Sequence, residues 1–291
     1  MPTSLSRTNA AEECPGTGNR NYAIGVFDSG LGGLTVVKEL IRQLPREDIV
    51  YFGDTARVPY GTKSKESVVR FSVENVTFLL QQNVKMVVVA CNTASSLAIP
   101  TLKKHFTVPI VSVITPGAQK AARVSCSKRI GIIATPATVN SQSYAETLKK
   151  IDRSIRVRAQ ACPLFVPLAE EGWLDGKIPE AIAGIYLKSM KRAKVDTLVL
   201  GCTHYPLLKS VIQKTMGPKV TLIDSAQEVA LEVQRLLAEN EMESSHKRAG
   251  QHMFWVSDEP KHFCTLARRF LARLPARQGF DIKNVKRCRV V

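Results

Sequence analysis

The sequence predicts an α/β protein of two similar domains, each a mainly parallel sheet flanked by helices, with a cleft between them. Three observations carry this. Short apolar runs rich in β-branched residues alternate with longer amphipathic stretches, which is the rhythm of β–α–β units. The rhythm restarts: IGVFDSGLGGLTVV from residue 24 lies over IGIIATPATVNS from residue 130, an offset of 106. Two apolar runs also end alike, MVVVACNTAS (86–95) at Cys91 and TLVLGCTHYP (197–206) at Cys202, an offset of 111. Ligands of open parallel sheets collect at the carboxyl ends of strands, so two facing edges would put one cysteine on each wall of a cleft.

Residues 1–21 are rich in Ser, Thr, Asn, Gly and Pro and are expected to form a flexible extension. A strand follows at 22–28, a helix at 34–44, a strand at 48–54 and a loop with Pro59, Tyr60 and Gly61. Apolar residues at helical spacing predict a helix over 66–82, then the Cys91 strand, a helix over 94–105 and a short strand at 109–113. The second half reads as a strand at 129–135, a helix at 139–151 and an alternating strand at 155–161. Pro163 and Pro167 mark a loop or short helix reaching Glu170, before a helix at 178–193 and the Cys202 strand. A helix at 206–216 and a strand at 220–224 come next. Ser225 and Glu228 suggest a capping box for a helix at 225–241. Residues 242–251 read as an exposed loop, 252–257 as a strand and 260–273 as a basic helix. Each half thus reads as strand, polar loop and helix, two further strands with helices, and a strand ending in Cys. The expected division is a first domain of 22–114 plus 225–291 and a second of 115–224.

The chain has 291 residues, 44% hydrophobic, enough for such cores. No apolar run approaches the roughly 18–20 residues of a membrane span, and the N-terminus lacks a secretory apolar core. A cytoplasmic protein with reduced thiols is therefore expected. The seven cysteines are odd in number and form no C-x-x-C, which points to neither a disulfide framework nor a zinc knuckle. The net charge of +16 is concentrated toward the C-terminus, where Lys261, Arg268, Arg269, Arg273 and others gather without a nucleic-acid-binding motif.

Cys91 and Cys202 each stand where a buried strand meets small polar residues, Asn92-Thr93 and Thr203-His204, that suit a helix start. The positive end of a helix favours a thiolate there. A single cysteine in such a place reads as core, or with His204 as a hydrolase nucleophile. Two in matched positions suggest a task needing two equivalent groups. Asp28-Ser29-Gly30-Leu31-Gly32-Gly33 fails the dinucleotide and P-loop spacings, so it reads as a tight turn presenting Asp28 and Ser29 at the sheet edge. Thr135 and Thr138 fill the corresponding loop of the second half. The histidines show no metal-ligand spacing, and no metal or cofactor is expected.

Together D-S-G-x-G-G (28–33), G-D-x-x-x-x-P-Y-G (53–61), A-C-N-T-A (90–94) and G-C-T-H-Y-P (201–206) resemble bacterial glutamate racemases of the aspartate/glutamate racemase superfamily. The resemblance runs from about Tyr22 to residue 240. It implies cofactor-independent racemisation of L-glutamate to D-glutamate for peptidoglycan synthesis, in a cleft that closes over the substrate. By matching motifs it implies Cys91 and Cys202 as the acid/base pair, assisted by Asp28 and His204. Ser29, Asn92, Thr93 and Thr203 would hold the α-carboxylate and ammonium, and the Pro59-Tyr60-Gly61 loop the side-chain carboxylate. Thr135 and Glu170 fall in regions that the family also brings near the cleft. Some members are activated by a UDP-linked muramyl precursor, form homodimers or inhibit DNA gyrase. Three other readings stay open from the sequence: a racemase of aspartate, a Cys-His hydrolase using Cys202 and His204, and a nucleic-acid binder acting through the basic tail.

Overall fold

The computed structural model describes residues 19–271 and 285–288. Most of the N-terminal extension, Cys14, the end of the expected 260–273 helix and much of the basic tail lie outside the described residues. The chain runs β1 (Ala23–Asp28), α1 (Leu34–Gln43), β2 (Ile49–Gly53), α2 (Lys65–Leu80), β3 (Val84–Val89), α3 (Asn92–Leu97), α4 (Ile99–His105), β4 (Ile110–Ser112) and α5 (Ile114–Val124). Next come β5 (Arg129–Ala134), α6 (Pro136–Asn140), α7 (Ser143–Ile151), β6 (Arg156–Ala161), α8 (Phe165–Glu171), α9 (Lys177–Arg192) and β7 (Thr197–Gly201). The chain continues with α10 (Lys209–Met216), β8 (Thr221–Ile223), α11 (Ser225–Glu239), β9 (His252–Val256), α12 (Pro260–Leu271) and β10 (Val285–Arg287).

Two wholly parallel sheets form, ordered β10-β9-β2-β1-β3-β4 and β6-β5-β7-β8. The α/β fold class is as the sequence predicts. The run β2-β1-β3-β4 matches β6-β5-β7-β8 position for position, and the registers agree. Phe27 pairs with Val89 in the first sheet, and Ile133 pairs with Leu200 in the second. Those pairs are related by the two sequence offsets, 106 and 111. One strand, not two, separates the first strand of each repeat from its cysteine strand. The central strands β1, β2, β3 and β7 are buried along their whole length, as their continuous apolar runs require. Edge strand β6 is half open to solvent, which explains its alternation.

Several local expectations are corrected. The helix expected over 94–105 is broken at Ala98, because Pro100 lacks an N–H and opens a new helix. The helix expected over 139–151 is broken at Gln142, which adopts a left-handed backbone with φ 57°. Helix α5, which carries Pro116 and Gly117, was not expected. At Gly117 an added Cβ would lie a tight 3.1 Å from Ser225 Cβ. Asp224, not Ser225, caps α11 by accepting from Ala226 N–H at 3.0 Å. Glu228 turns outward to Lys120 and Arg123 instead of closing a capping box.

The segment 242–251, expected as an exposed loop, is tied down at a buried ion pair. Lys85 of β3 is wholly buried, and its Nζ donates to Glu47 Oε2 at 2.5 Å, Arg20 O at 2.6 Å and Met242 O at 2.8 Å. Glu47 Oε1 accepts Ser244 N–H at 2.7 Å. One ammonium thus joins the chain entry to β1, the base of β3 and the strap between α11 and β9. Removing one partner of such a pair leaves a buried charge and two carbonyls without donors. Lys85→Met should lower unfolding stability by ~3–5 kcal/mol in urea titration, and Lys85→Met/Glu47→Gln should recover part of that loss.

Candidate active site

Both cysteines sit at carboxyl ends of central strands, Cys91 after β3 and Cys202 after β7, and both are buried. Their surroundings differ. Cys91 itself caps α3: its Sγ accepts Ala94 N–H at 3.5 Å, and its S–H donates to Ser29 Oγ at 3.6 Å. A helix start alone would favour the thiolate. Here burial wins, joined by the charge of Asp28, and the thiol is pushed up to about 12. Cys202 is not followed directly by an α-helix, contrary to expectation. Thr203-His204 make a turn into a 3-10 segment, Tyr205–Leu208, that starts around Pro206. Its Sγ lies instead 3.8 Å from His204 Nδ1. The other ring nitrogen, Nε2, lies 3.0 Å from Glu170 Oε1 at the end of α8. Burial opposes the charge on His204, yet Cys202 and Glu170 raise its pKa from 6.5 to about 10. Glu170 thus enters the site through His204.

The structure brings together the residues named from the sequence. Asp28, at the end of β1, is fully buried, which raises its pKa against the lowering effects of His204 and the backbone N–H groups of Gly30 and Gly33. Its Oδ2 accepts Gly30 N–H at 2.9 Å, and its Oδ1 accepts Thr203 Oγ–H at 3.3 Å across the cleft. Asn92 and Thr93 open α3, and Thr135 caps α6 by accepting Thr138 N–H at 3.4 Å. Thr93, Thr135 and Thr138 form a closed hydroxyl cluster spanning the two lobes, with separations of 2.9, 3.2 and 3.0 Å.

Close backbone approach needs two glycines. A Cβ on Gly32 would fall 2.1 Å from Thr203 Oγ1, and one on Gly61 would fall 2.6 Å from Thr135 Cβ. Pro59 is exposed on the outer side of its loop, after a cis Val58–Pro59 peptide. The Tyr60 side chain is fully buried. Its hydroxyl donates to Asp54 Oδ2 and accepts from Asn75 Nδ2 at 3.1 Å, and its ring packs on Phe71. Any contact of this loop with a ligand in the cleft therefore falls to its backbone and Gly61.

Sequence reasoning missed Tyr144. It is buried on α7 and donates to Asn92 Oδ1 at 2.7 Å. No signal marked it, since an aromatic on an amphipathic helix reads as core. Of the other cysteines, Cys162 is buried, Cys126 exposed, and Cys264 and Cys288 lie between. Among the described residues, no group of three or more His, Cys, Asp or Glu is placed to hold a metal ion. No helix among them is long and apolar enough to cross a membrane. A cavity of about 540 Å³ backs Thr138 and Tyr144 on the β5–β6 side, and another of about 420 Å³ opens between the lobes beside Lys63, Lys65, Ser96 and Ser141.

Residues 24–233 match the family described as Asp/Glu/Hydantoin racemase. The glutamate racemase of Geobacter metallireducens is 52% identical over 249 residues, covering 86% of this chain and 92% of its own. The Francisella tularensis glutamate racemase, solved with D-glutamate, superposes with a TM-score of 0.85 at 38% identity, over 93% of this chain and 98% of its own. The Escherichia coli enzyme, solved with L-glutamate and the activator UDP-MurNAc-Ala, gives a TM-score of 0.76 at 28% identity, over 93% and 99%. Motifs, fold and relatives agree, and the chain belongs to the Asp/Glu/hydantoin racemase family, among its glutamate racemases.

Proposed function

We propose that this chain interconverts L- and D-glutamate by a two-thiol acid/base mechanism that uses no cofactor. The observation that carries the reading is the pair of matched strand ends, one cysteine beside Ser29 and the other beside His204. Racemisation removes the α-proton from one face of the carbon and returns a proton to the other. Cys91, pushed up to about 12, is held as a thiol and suits the acid. Cys202 has the His204 imidazolium beside it, which stabilises negative charge on its sulfur and suits the base. In the L-to-D direction the Cys202 thiolate takes the α-proton and the C–H electron pair passes into the carboxylate-stabilised carbanion. Cys91 S–H then protonates the opposite face, leaving Cys202 as thiol and Cys91 as thiolate. The D-to-L direction reverses each transfer.

Ser29, Asn92, Thr93 and Thr203 hold the α-carboxylate as donors and the ammonium as acceptors in this reading, and Asp28 and His204 serve the two thiols. The backbone of the Pro59-Tyr60-Gly61 loop, with Thr135 opposite Gly61, faces the side-chain carboxylate. The lobes, 22–114 with 225–291 and 115–224, close over the substrate, and their dry contact strengthens each of these interactions. Lys63 and Lys65 at the cavity rim favour the approach of an anion. D-glutamate made in the cytoplasm would feed peptidoglycan synthesis. The Escherichia coli relative supports a UDP-linked muramyl activator as a further ligand.

Incubation with L-glutamate in D2O should yield D-glutamate carrying deuterium at the α-carbon, read by NMR. Cys91→Ala and Cys202→Ala should each lower racemisation by at least ~10²–10⁴-fold. Full activity in either variant, or a trapped acyl-enzyme on Cys202, would overturn the two-thiol mechanism in favour of a single-thiol reaction.

Gly32→Ala should keep its far-UV circular dichroism while kcat/KM falls by ~10²-fold, because the new methyl displaces Thr203 from the Cys202 turn. The raised pKa of His204 also sets a pH window. Its charge stabilises the fold fully below pH 6.5, and that contribution is lost as pH rises through about 10. Urea unfolding of the native chain and of His204→Gln should therefore differ more at pH 6.5 than at pH 10.

A further inference from the structure

Tyr144 touches both cysteine units at once. Its ring lies on Gly201, the residue before Cys202, with Cε2 only 3.2 Å from the place a Cβ there would take. Its hydroxyl reaches the other lobe and donates to Oδ1 of Asn92, the residue after Cys91, at 2.7 Å. A phenol has one proton, and in Tyr144 it is committed to Asn92. Gly117 leaves the space in which Ser225 and Tyr144 meet, since a Cβ there would sit 3.1 Å from Ser225 Cβ and 3.7 Å from the Tyr144 hydroxyl.

The direction of these bonds decides what Asn92 can offer. An amide presents one acceptor and one donor group. With its oxygen engaged by Tyr144, Asn92 is left with its NH2 for the cleft beside Cys91. That face suits a carboxylate. The flipped amide would present an oxygen to the carboxylate and leave the Tyr144 proton without an acceptor.

We propose that Tyr144 is a positioning residue that fixes the Asn92 amide with its NH2 toward the substrate carboxylate. This rests on the racemase reading in which Asn92 contacts substrate. Tyr144 does not touch the substrate, and it acts through Asn92. Burial and the nearby Cys202 charge push its phenol well above its ordinary pKa, so it stays a donor across the working pH range.

The test is a mutant cycle read by steady-state kinetics with L- and D-glutamate, alongside urea unfolding. Tyr144→Phe keeps the ring on Gly201 and removes the hydroxyl. It should raise KM about tenfold with a smaller change in kcat, the scale of one lost hydrogen bond. Asn92→Asp keeps an oxygen for Tyr144 and loses the NH2; it should raise KM at least as much as Tyr144→Phe, and it carries the test should Tyr144→Phe not fold. In an Asn92→Ala background Tyr144→Phe should not raise KM further. The proposal is overturned if Tyr144→Phe costs the same factor with and without Asn92, as a purely structural role would. It is also overturned if Asn92→Ala raises KM while Tyr144→Phe does not, or if Asn92→Asp leaves KM unchanged. A wild-type KM in Asn92→Ala alone would remove Asn92 from the substrate site and overturn the proposal with it, while leaving the two-thiol reaction to the Cys91 and Cys202 variants.

Discussion

The site depends on how closely the carboxyl ends of two parallel sheets approach each other. Strand ends carry polar turns, and turns with side chains would hold the lobes apart. Gly32 against Thr203 and Gly61 against Thr135 remove the obstacle at two points, so backbone meets side chain across the cleft. Every cross-cleft hydrogen bond described above depends on that contact: Asp28 with Thr203, Thr93 with Thr135 and Thr138, and Asn92 with Tyr144. Both thiols are buried at this contact.

The repeat is symmetric in its strands and asymmetric in its chemistry. The same strand order and register deliver both cysteines. The segments after the two cysteines differ: a helix capped by the sulfur after β3, and a proline-led turn bearing His204 after β7. An acidic residue, Asp28, ends β1, while its counterpart Ala134 ends β5. Two equivalent positions thereby hold thiols in unlike surroundings, Cys91 beside Ser29 and Cys202 beside His204.

The strands and both cysteines could be read from the sequence because continuous apolar runs and abrupt polar ends are local signals. The pairing of the repeats was also legible, since two independent offsets pointed to one register. The helix breaks at Ala98 and Gln142 were not, because the first depends on Pro100 being used as a start and the second on a left-handed residue without glycine. Helix α5 was hidden by a Pro-Gly pair whose glycine serves packing against Ser225. The segment 242–251 is the mostly exposed loop expected, but its anchoring at Lys85 and Glu47 was not legible because both lie far away in sequence. Tyr144 was invisible for the same reason: its partners come from α3, β7 and α11. Among the site residues, motif spacing located Tyr60 but could not tell that its hydroxyl serves Asp54.

Edge strand β6 closes one side of the second sheet, with its outer backbone groups unpaired and Arg156 and Arg158 exposed on it. Such an edge is a template on which another chain can add a strand. Were two copies to pair there about a two-fold axis, their arginines would crowd onto one face, like charge beside like charge. The half-open strand that bounds the racemase fold thus also guards it against edge-to-edge self-association.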